Sequence, residues 1–480
     1  MIADDLTVVL PEILLAVFAM AALMAGAFSR NEALVSRNVL WATVALFVGL
    51  GAWIGLAPSG SQSAFSGTFV ADDFARFAKL MMLWGAACLL VLSAPYLEKH
   101  RLMKYEYPVL VTLSVVGMMV MVSAQDLMVL YMGLELQSLA LYVIAAFRRD
   151  SLRSTEAGLK YFVLGALSSG LLLYGCSLVY GSTGTTGFAA IGDAVGSGEM
   201  PLGLLIGLVF LCTGMAFKIS AAPFHMWTPD VYEGAPTPVT GFLATAPKVA
   251  AACMFARVLH DAFGAAADDW GQILALLSLV SMFLGAIAAI GQRNIKRLMA
   301  YSSISHMGFV LMGLTAGTAA GAEAMMVYLA IYVTMNVGVF AFILNMERDG
   351  AAITDIGALG RYSEVEPLRA LCLAILMFSL AGMPPLVGFF GKYFVLSAAV
   401  EAGYVWLAVA GVIASAIGAY YYLRIVYFMY FGEDTAPLTG TMPLVHWGFL
   451  GVSAGAMIFG IVNLFGVEAM AEQAAAALVN

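Results

Sequence analysis

Apolar residues run along this chain in long blocks, separated by short polar intervals. Each block is roughly 18 to 25 residues, the length that crosses a hydrocarbon core of about 30 Å as a helix. The pattern predicts spans at 6–28, 39–56, 74–95, 107–124, 126–147, 158–181, 201–222, 236–260, 270–290, 300–318, 324–346, 367–400, 404–430 and 446–467. In Ile273 to Ile290 and in Val405 to Ala419 nearly every position is apolar, so the period-2 alternation of a membrane β-barrel is missing. The block at 367–400 holds the breakers Ala381, Gly382, Met383, Pro384 and Pro385, which predict two half-helices there. The expected fold is an all-α polytopic membrane protein of about fourteen transmembrane helices, with broken helices near the seventh and twelfth spans.

Composition strengthens this picture. Of 480 residues, 62% are hydrophobic and 11% are charged, against roughly 25% charged in soluble domains. Forty-nine glycines suit close helix packing in lipid. Leu6 to Phe28 follows Asp4 and Asp5 rather than a basic patch, so it reads as a retained span and not a cleaved signal. The five cysteines stand singly in apolar blocks, with no CxxC pair or Cys/His cluster for zinc or an iron–sulfur centre. No GxGxxG run supports nucleotide binding. A formal net charge of -8 argues against nucleic acid as a partner.

Basic residues decide the orientation, because they stay on the cytoplasmic side. One set of loops carries Arg30 and Arg37; Lys99, Arg101 and Lys104; Arg148, Arg149 and Arg153; Arg293, Lys296 and Arg297; and Arg348, Arg361 and Arg369. The opposite set carries mainly acids: Asp72, Asp73, Asp193, Glu199, Asp261, Asp268 and Asp269. Its few basic residues, Arg76, Lys79 and Arg257, fall near span ends. Both termini are then expected outside the cytoplasm. The longest connections, 57–73, 181–200 and 347–366, have room for hairpins or surface helices but not for a soluble domain. Function is therefore expected within the membrane or at contacts with partner subunits.

A few charges lie at membrane depth. Glu135 sits near the middle of the fifth span, Lys218 in the seventh, Lys248 near the middle of the eighth, directly after Pro247, and Lys392 in the second half of the broken twelfth. A charge at the centre of a spanning helix costs roughly 2.5–3.5 kcal/mol on the mildest scale. A lysine near a span end can snorkel to the interface, which would account for Lys160 and competes with a relay role at the other lysines. Taken together, these residues imply a polar track through the bundle. Lysine suits proton exchange there because burial readily changes its protonation, whereas arginine stays charged. A carboxylate beside a lysine stabilises its charged form, so a Glu135–lysine pair could act as a gate. Breakers adjoin the lysines: Pro223, Pro229, Pro236 and Pro238 follow Lys218, and Pro384 and Pro385 precede Lys392. Irregular backbone at this depth is tolerated where it lines a cavity or is buried in protein. His225 and His306 could relay protons near neutral pH or serve as capping or interfacial residues, and Tyr301, Ser305 and Tyr393 could link them. Gly214 and Met215 before Lys218 are echoed by Gly382 and Met383 before Lys392, which fits a duplicated unit of about five helices.

The stretch from Lys218 through Pro223-Phe224-His225-Met226-Trp227-Thr228-Pro229-Asp230-Val231-Tyr232-Glu233-Gly234-Ala235-Pro236-Thr237-Pro238-Val239 to Lys248 resembles the antiporter-like membrane subunits of bacterial proton-translocating NADH:quinone oxidoreductase, respiratory complex I. Glu135 in GLELQSLALYV, the run LAGMPPLVGFFGKY ending in Lys392 and Tyr393, and YYLRIVYFMY from Tyr421 to Tyr430 look like the N-type subunits in particular. Lysine at position 392 fits N over M, where glutamate is usual. The end at Asn480, soon after the last span, is expected for N and not for L, which carries a long lateral helix. The resemblance implies a modulating pair of Glu135 and Lys218, a central relay at Lys248 and a second half-channel lysine at Lys392, with His225, His306 and Lys160 as further relay candidates. It implies four parts: residues 1–106 with three N-terminal helices, repeats at 107–262 and 263–431 related by inversion, and a C-terminal helix and tail at 432–480. It further implies no cofactor in this chain, with NADH, FMN, iron–sulfur clusters and quinone in other subunits. The implied partners are the adjacent subunit M, the small subunits J and K, and membrane lipids; the implied location is the bacterial inner membrane, with both termini periplasmic. Read from residues alone, a stand-alone cation/proton antiporter subunit would look much the same, and a purely structural subunit would leave the buried lysines without a reason.

The charge bias yields a direct test of topology. A reporter fused after Arg153 is expected in the cytoplasm, and one fused near Gly196 outside it. The same side for both would remove the sixth span.

Overall fold

The computed structural model describes residues 2–198, 200–436 and 438–479; Glu199, counted above with the outer acids, lies outside them. Over the described residues the fold is all-α apart from two small antiparallel hairpins, Gln62–Ala64 with Phe69–Ala71 and Glu347–Arg348 with Ala351–Ala352. Both hairpins, and the surface helix Phe188–Gly196, fill the connections that had room for such elements.

Among the described residues, eleven helices are long and apolar enough to cross a membrane, or twelve if one bent pair counts as a span. The difference from fourteen lies in identifiable places. Glu106–Val122 has 17 residues. The block at 367–400 divides, as its breakers predict, into Pro367–Ala381 and Val387–Glu401, 15 residues each. The last span, Leu444–Phe459, turns by 114° into the segment Asn463–Leu478.

The centre of the molecule is formed by Thr237–Ala262, Ile295–Thr315 and Ala319–Ile343, whose apolar windows are 89% or more buried. Leu10–Phe28 lies at the edge, with Val17, Met20, Met24 and Phe28 exposed. Lipid gives two apolar helix faces no hydrophobic reason to prefer each other, so close packing has to hold them together. The pair Glu106–Val122 and Leu127–Ala145 shows how. A Cβ on Gly117 would stand 2.5 Å from the Gly133 carbonyl oxygen and the Gln137 nitrogen, and one on Gly133 would stand 2.8 Å from the Met121 nitrogen. The backbones touch, which fixes the helix that carries Glu135.

Two helices stop inside the bundle in the same manner. Leu202–Ile219 ends where Ser220 turns left-handed (φ 67°), and Ala221 N–H donates back to Ala216 O at 2.8 Å. Pro367–Ala381 ends at left-handed Gly382 (φ 81°), and Met383 N–H donates to Phe378 O at 3.0 Å. Both are Schellman-type ends. The last turn, which carries Lys218, is therefore capped. The match also pairs Gly382 with Ser220, which corrects the register suggested by the Gly-Met echo at Gly214.

Three residues assigned to loops or span ends are in fact core ions. Arg257 donates to both carboxylate oxygens of Asp72, at 2.6 and 2.7 Å, and is 1% exposed. Lys79 pairs with Glu12 at 2.7 Å, tying the N-terminal helix Leu10–Phe28 to Asp73–Lys99. A buried charge is costly unless a counter-charge or hydrogen bonds replace its water, so proximity to a span end concealed a structural role.

Gly117→Val should force these two helices apart at a cost of about 1–3 kcal/mol. The thermal stability of the detergent-solubilised protein should fall, while Gly170→Ala, at a position with nothing within 4 Å, should leave it unchanged.

Candidate functional site: a row of buried lysines

Lys218 lies in the last turn of Leu202–Ile219, and its Nζ donates to Ser138 Oγ at 2.7 Å. Tyr142 OH at 3.4 Å and Ser169 Oγ at 3.5 Å are at the edge of range. Ser138 follows Glu135 by one turn on Leu127–Ala145. The two ends of the expected pair thus share one neighbourhood, yet no ion pair joins them among the described residues, and Glu135 Oε1 is buried without a hydrogen-bond partner. In this conformation Lys218 is docked on a hydroxyl, apart from the carboxylate.

Lys248 stands in the first turn of Ala246–Arg257, after a break at Ala244 and Thr245 that the sequence reading did not place. Its Nζ donates to the Ile219 carbonyl at 3.0 Å and to Ser220 Oγ. It therefore sits on the carbonyl end of the very helix that carries Lys218, where unpaired carbonyls and the helix dipole favour a cation. Trp227 lies beneath the ammonium, 5.2 Å to the ring centre, and its indole N–H donates to Phe217 O at 3.0 Å. Tyr161 stacks on Trp227 at 4.4 Å and meets Tyr142 edge-on at 4.8 Å. Aromatic rings thus wall the space between Lys218 and Lys248.

Lys392 repeats the arrangement at the second break. Its Nζ donates to Ala381 O, the last carbonyl of Pro367–Ala381, at 2.8 Å and to Ser415 Oγ at 2.9 Å, and it stands 5.1 Å from the Phe309 ring centre. Phe309 stacks on Tyr328. His306, fully enclosed, bonds Tyr328 OH through Nδ1 at 2.7 Å and Tyr422 OH through Nε2 at 2.9 Å, and Tyr422 continues to Ser302 at 2.5 Å. His306 is thus brought into a hydroxyl network beside Lys392.

The other candidates stand apart. His225 lies in the irregular stretch before Trp227–Gly234, and its Nδ1 is buried with no hydrogen-bond partner. Lys160 is 41% exposed and pairs with Asp230 at 2.7 Å and Glu156 at 2.8 Å. Arg297 joins it through Asp230 and Glu233 around a cavity of about 240 Å³ that Arg153 also lines. Tyr393 is 53% exposed and faces outward, and Ser305 Oγ goes to the Met282 carbonyl.

Sequence reasoning missed Ser138, Ser220 and Ser415 as lysine partners, and the pair Tyr328 and Tyr422. Ser138 alone left a trace, one turn from Glu135 on the same face. Lys296, read as a loop residue, is 4% exposed and donates to Glu233 O at 2.9 Å and Ala235 O at 2.6 Å. No group of three His, Cys, Asp or Glu residues that could hold a metal ion occurs among the described residues.

Comparison with known proteins bears on this geometry. The family described as "NADH:quinone oxidoreductase/Mrp antiporter, TM" matches residues 124–418, the region that holds every lysine of the row. NADH-quinone oxidoreductase subunit N of Jannaschia sp. is 62% identical over 100% of both chains, and that of Rhodobacter capsulatus is 60% identical over 99% of both. A chain of respiratory complex I from Thermus thermophilus with bound aureothin superposes with a TM-score of 0.82 at 32% identity, covering 96% of this chain and 99% of that one. The chain belongs to the NADH:quinone oxidoreductase/Mrp antiporter family of membrane proteins, and within it to the subunit N group of NADH-quinone oxidoreductase.

Proposed function

We propose that this chain is a proton-translocating membrane subunit of NADH:quinone oxidoreductase, in which Lys218, Lys248 and Lys392 carry protons along the row. One observation carries the reading: Lys218, Lys248 and Lys392 are all buried, none is held by an ion pair among the described residues, and two of them sit on the carbonyl ends of interrupted helices. A buried structural cation is held by partners that only accept, a carboxylate at Lys79 and main-chain carbonyls at Lys296, whereas each of these three also meets a hydroxyl.

Glu135 acts as the modulator. When its carboxylate meets Lys218, both groups are stabilised as ions; when Lys218 rests on Ser138, its proton can pass inward to Lys248. The distance from Ser138 to Glu135 is one helical turn, so a swing of a flexible lysine stem suffices. Lys160, with Asp230, Glu233 and Arg297 around their cavity, forms the cytoplasmic mouth, and His225 lies along the route inward. His306, with Tyr328 and Tyr422, connects the central and second lysines. The resting backbone is a set of fourteen spans in which 107–262 and 263–431 are inverted repeats, consistent with the matched breaks at Ser220 and Gly382. Three N-terminal helices in 1–106 and the tail in 432–480 flank them, and both termini face the periplasm. The chain sits in the inner membrane beside subunit M and the small subunits J and K. Redox chemistry with NADH, FMN, iron–sulfur clusters and quinone belongs to other subunits of the complex.

Lys248→Ala removes the central stepping stone and leaves most packing intact. Coupled turnover should fall about tenfold, which corresponds to about 1.4 kcal/mol, with fewer protons taken up per electron at normal complex content. Unchanged pumping would remove Lys248 from the route.

The Glu135–Lys218 unit is tested by a double-mutant cycle. Glu135→Gln and Lys218→Ala should each impair proton flux, Glu135→Asp should be milder than Glu135→Gln, and the double variant should lose less than the sum of the singles. The expected coupling is of the order of 0.5–3 kcal/mol. Strict additivity, at equal complex content in all four proteins, would leave two independent residues.

A further inference from the structure

The three lysines of the row share one kind of polar partner. Lys218 Nζ donates to Ser138 Oγ at 2.7 Å, Lys392 Nζ to Ser415 Oγ at 2.9 Å, and Lys248 Nζ to Ser220 Oγ. Lysines outside the row are held differently. Lys79 has the Glu12 carboxylate, Lys160 has Asp230 and Glu156, and Lys296 has the main-chain carbonyls of Glu233 and Ala235. A carbonyl or an ionised carboxylate only accepts. It satisfies an ammonium but offers nothing to the lone pair of a neutral amine. A serine hydroxyl accepts from the ammonium and, by rotating, donates to the amine. Where an unmade buried hydrogen bond is costly, this difference decides whether a lysine can lose its proton without losing its partner.

The backbone at Ser220 points the same way. Left-handed φ and ψ at a helix end favour glycine, and the matching position in the second break is Gly382. A Cβ there would stand 2.7 Å from Lys392 Cδ, so a side chain would displace the lysine, and the hydroxyl for Lys392 comes from Val405–Phe431 instead. At the first break a serine is present in the unfavourable conformation, fully buried, with its hydroxyl on Lys248.

We propose that Ser138, Ser220 and Ser415 are positioning residues of the proton route, hydroxyl rotors that keep Lys218, Lys248 and Lys392 hydrogen-bonded in both protonation states. This rests on the reading of those lysines as relays. The groups that face them are Glu135, Tyr142 and the more distant Ser169 hydroxyl at Lys218, the Trp227 ring at Lys248, and His306 and the Phe309 ring at Lys392. None of these supplies a rotor to Lys248 or Lys392.

The test uses the native complex with Ser138→Ala, Ser415→Ala and Ser220→Gly. Alanine is the better helix former at the first two positions, and glycine suits the left-handed turn at the third. At equal complex content each variant should lower coupled turnover about three- to tenfold. Each should also displace the alkaline limb of its pH profile by about one unit toward acid, since the ammonium loses the stronger, charge-assisted bond. Ser220→Asn should restore much of the profile, because asparagine tolerates the left-handed region and its amide both accepts and donates. Ser278→Ala removes a buried hydroxyl bonded to the Gly308 carbonyl and should leave the profile in place; a shift there too would make the effect generic and overturn the proposal. Wild-type turnover and profile in all three serine variants, with Lys248→Ala still impaired, would overturn the rotor role alone. A fully active Lys248→Ala would overturn the relay reading beneath it.

Discussion

The cost of a charge in hydrocarbon governs this molecule. An ammonium at the centre of the bilayer is tolerated only if protein dipoles replace the water it has lost. An unbroken helix cannot supply them, since all its interior carbonyls are bonded to its own amides. An interrupted helix can, because its last carbonyls have no partner within the helix. Lys248 and Lys392 each sit on such an end, at Ile219 and Ala381. The breaks are thus the electrostatic condition for having lysines at that depth, and the proline-rich stretches exist to make them.

Much of this was legible in the sequence, for reasons tied to particular residues. Pro384 and Pro385 cannot continue a helix, so the division of 367–400 followed directly. Glu135, Lys218, Lys248 and Lys392 stood out because charge is rare in apolar blocks, and all four lie within the bundle at or beside the row. What stayed hidden was everything that depends on which helices touch. Serine is common and weakly polar, so nothing marked Ser138 or Ser415 until a lysine from another helix was found against it. Arg257 and Asp72 are 185 positions apart, and each alone looks like an interfacial charge. Lys296 was assigned to a loop because Arg293 and Arg297 flank it, although its own side chain turns inward to the Glu233 and Ala235 carbonyls.

The chain uses buried lysine in two distinct ways. The Lys79–Glu12 pair fixes both charges at once: separating them would strand two ions in a low-dielectric interior, which is why breaking one side of such a pair is strongly destabilising. That makes it a fastener between Leu10–Phe28 and Asp73–Lys99, outside the region matched by the family. The row lysines have neutral hydrogen-bond partners, so the proposed loss of a proton would strand no bonded counter-ion.

Glu135 belongs between these two cases, and its position explains how one chain can hold both. It is close enough to Lys218 to act on it electrostatically, yet the lysine is bonded to Ser138 and the Glu135 Oε1 atom has no partner. A permanently closed pair would be a second fastener; a permanently absent carboxylate would leave Lys218 indifferent to its surroundings. In the proposed gate, an acid one turn from the observed hydroxyl partner would offer the lysine a second docking position on the same helix face, one that favours the ion. The rigid contact of Gly117 with Gly133 and Gln137 holds that face still, so the choice between the two positions falls to the flexible side chain of Lys218. In the proposed gate, this fixed scaffold with one mobile charge is what would turn a change of electric field from a neighbouring unit into the release or retention of a proton.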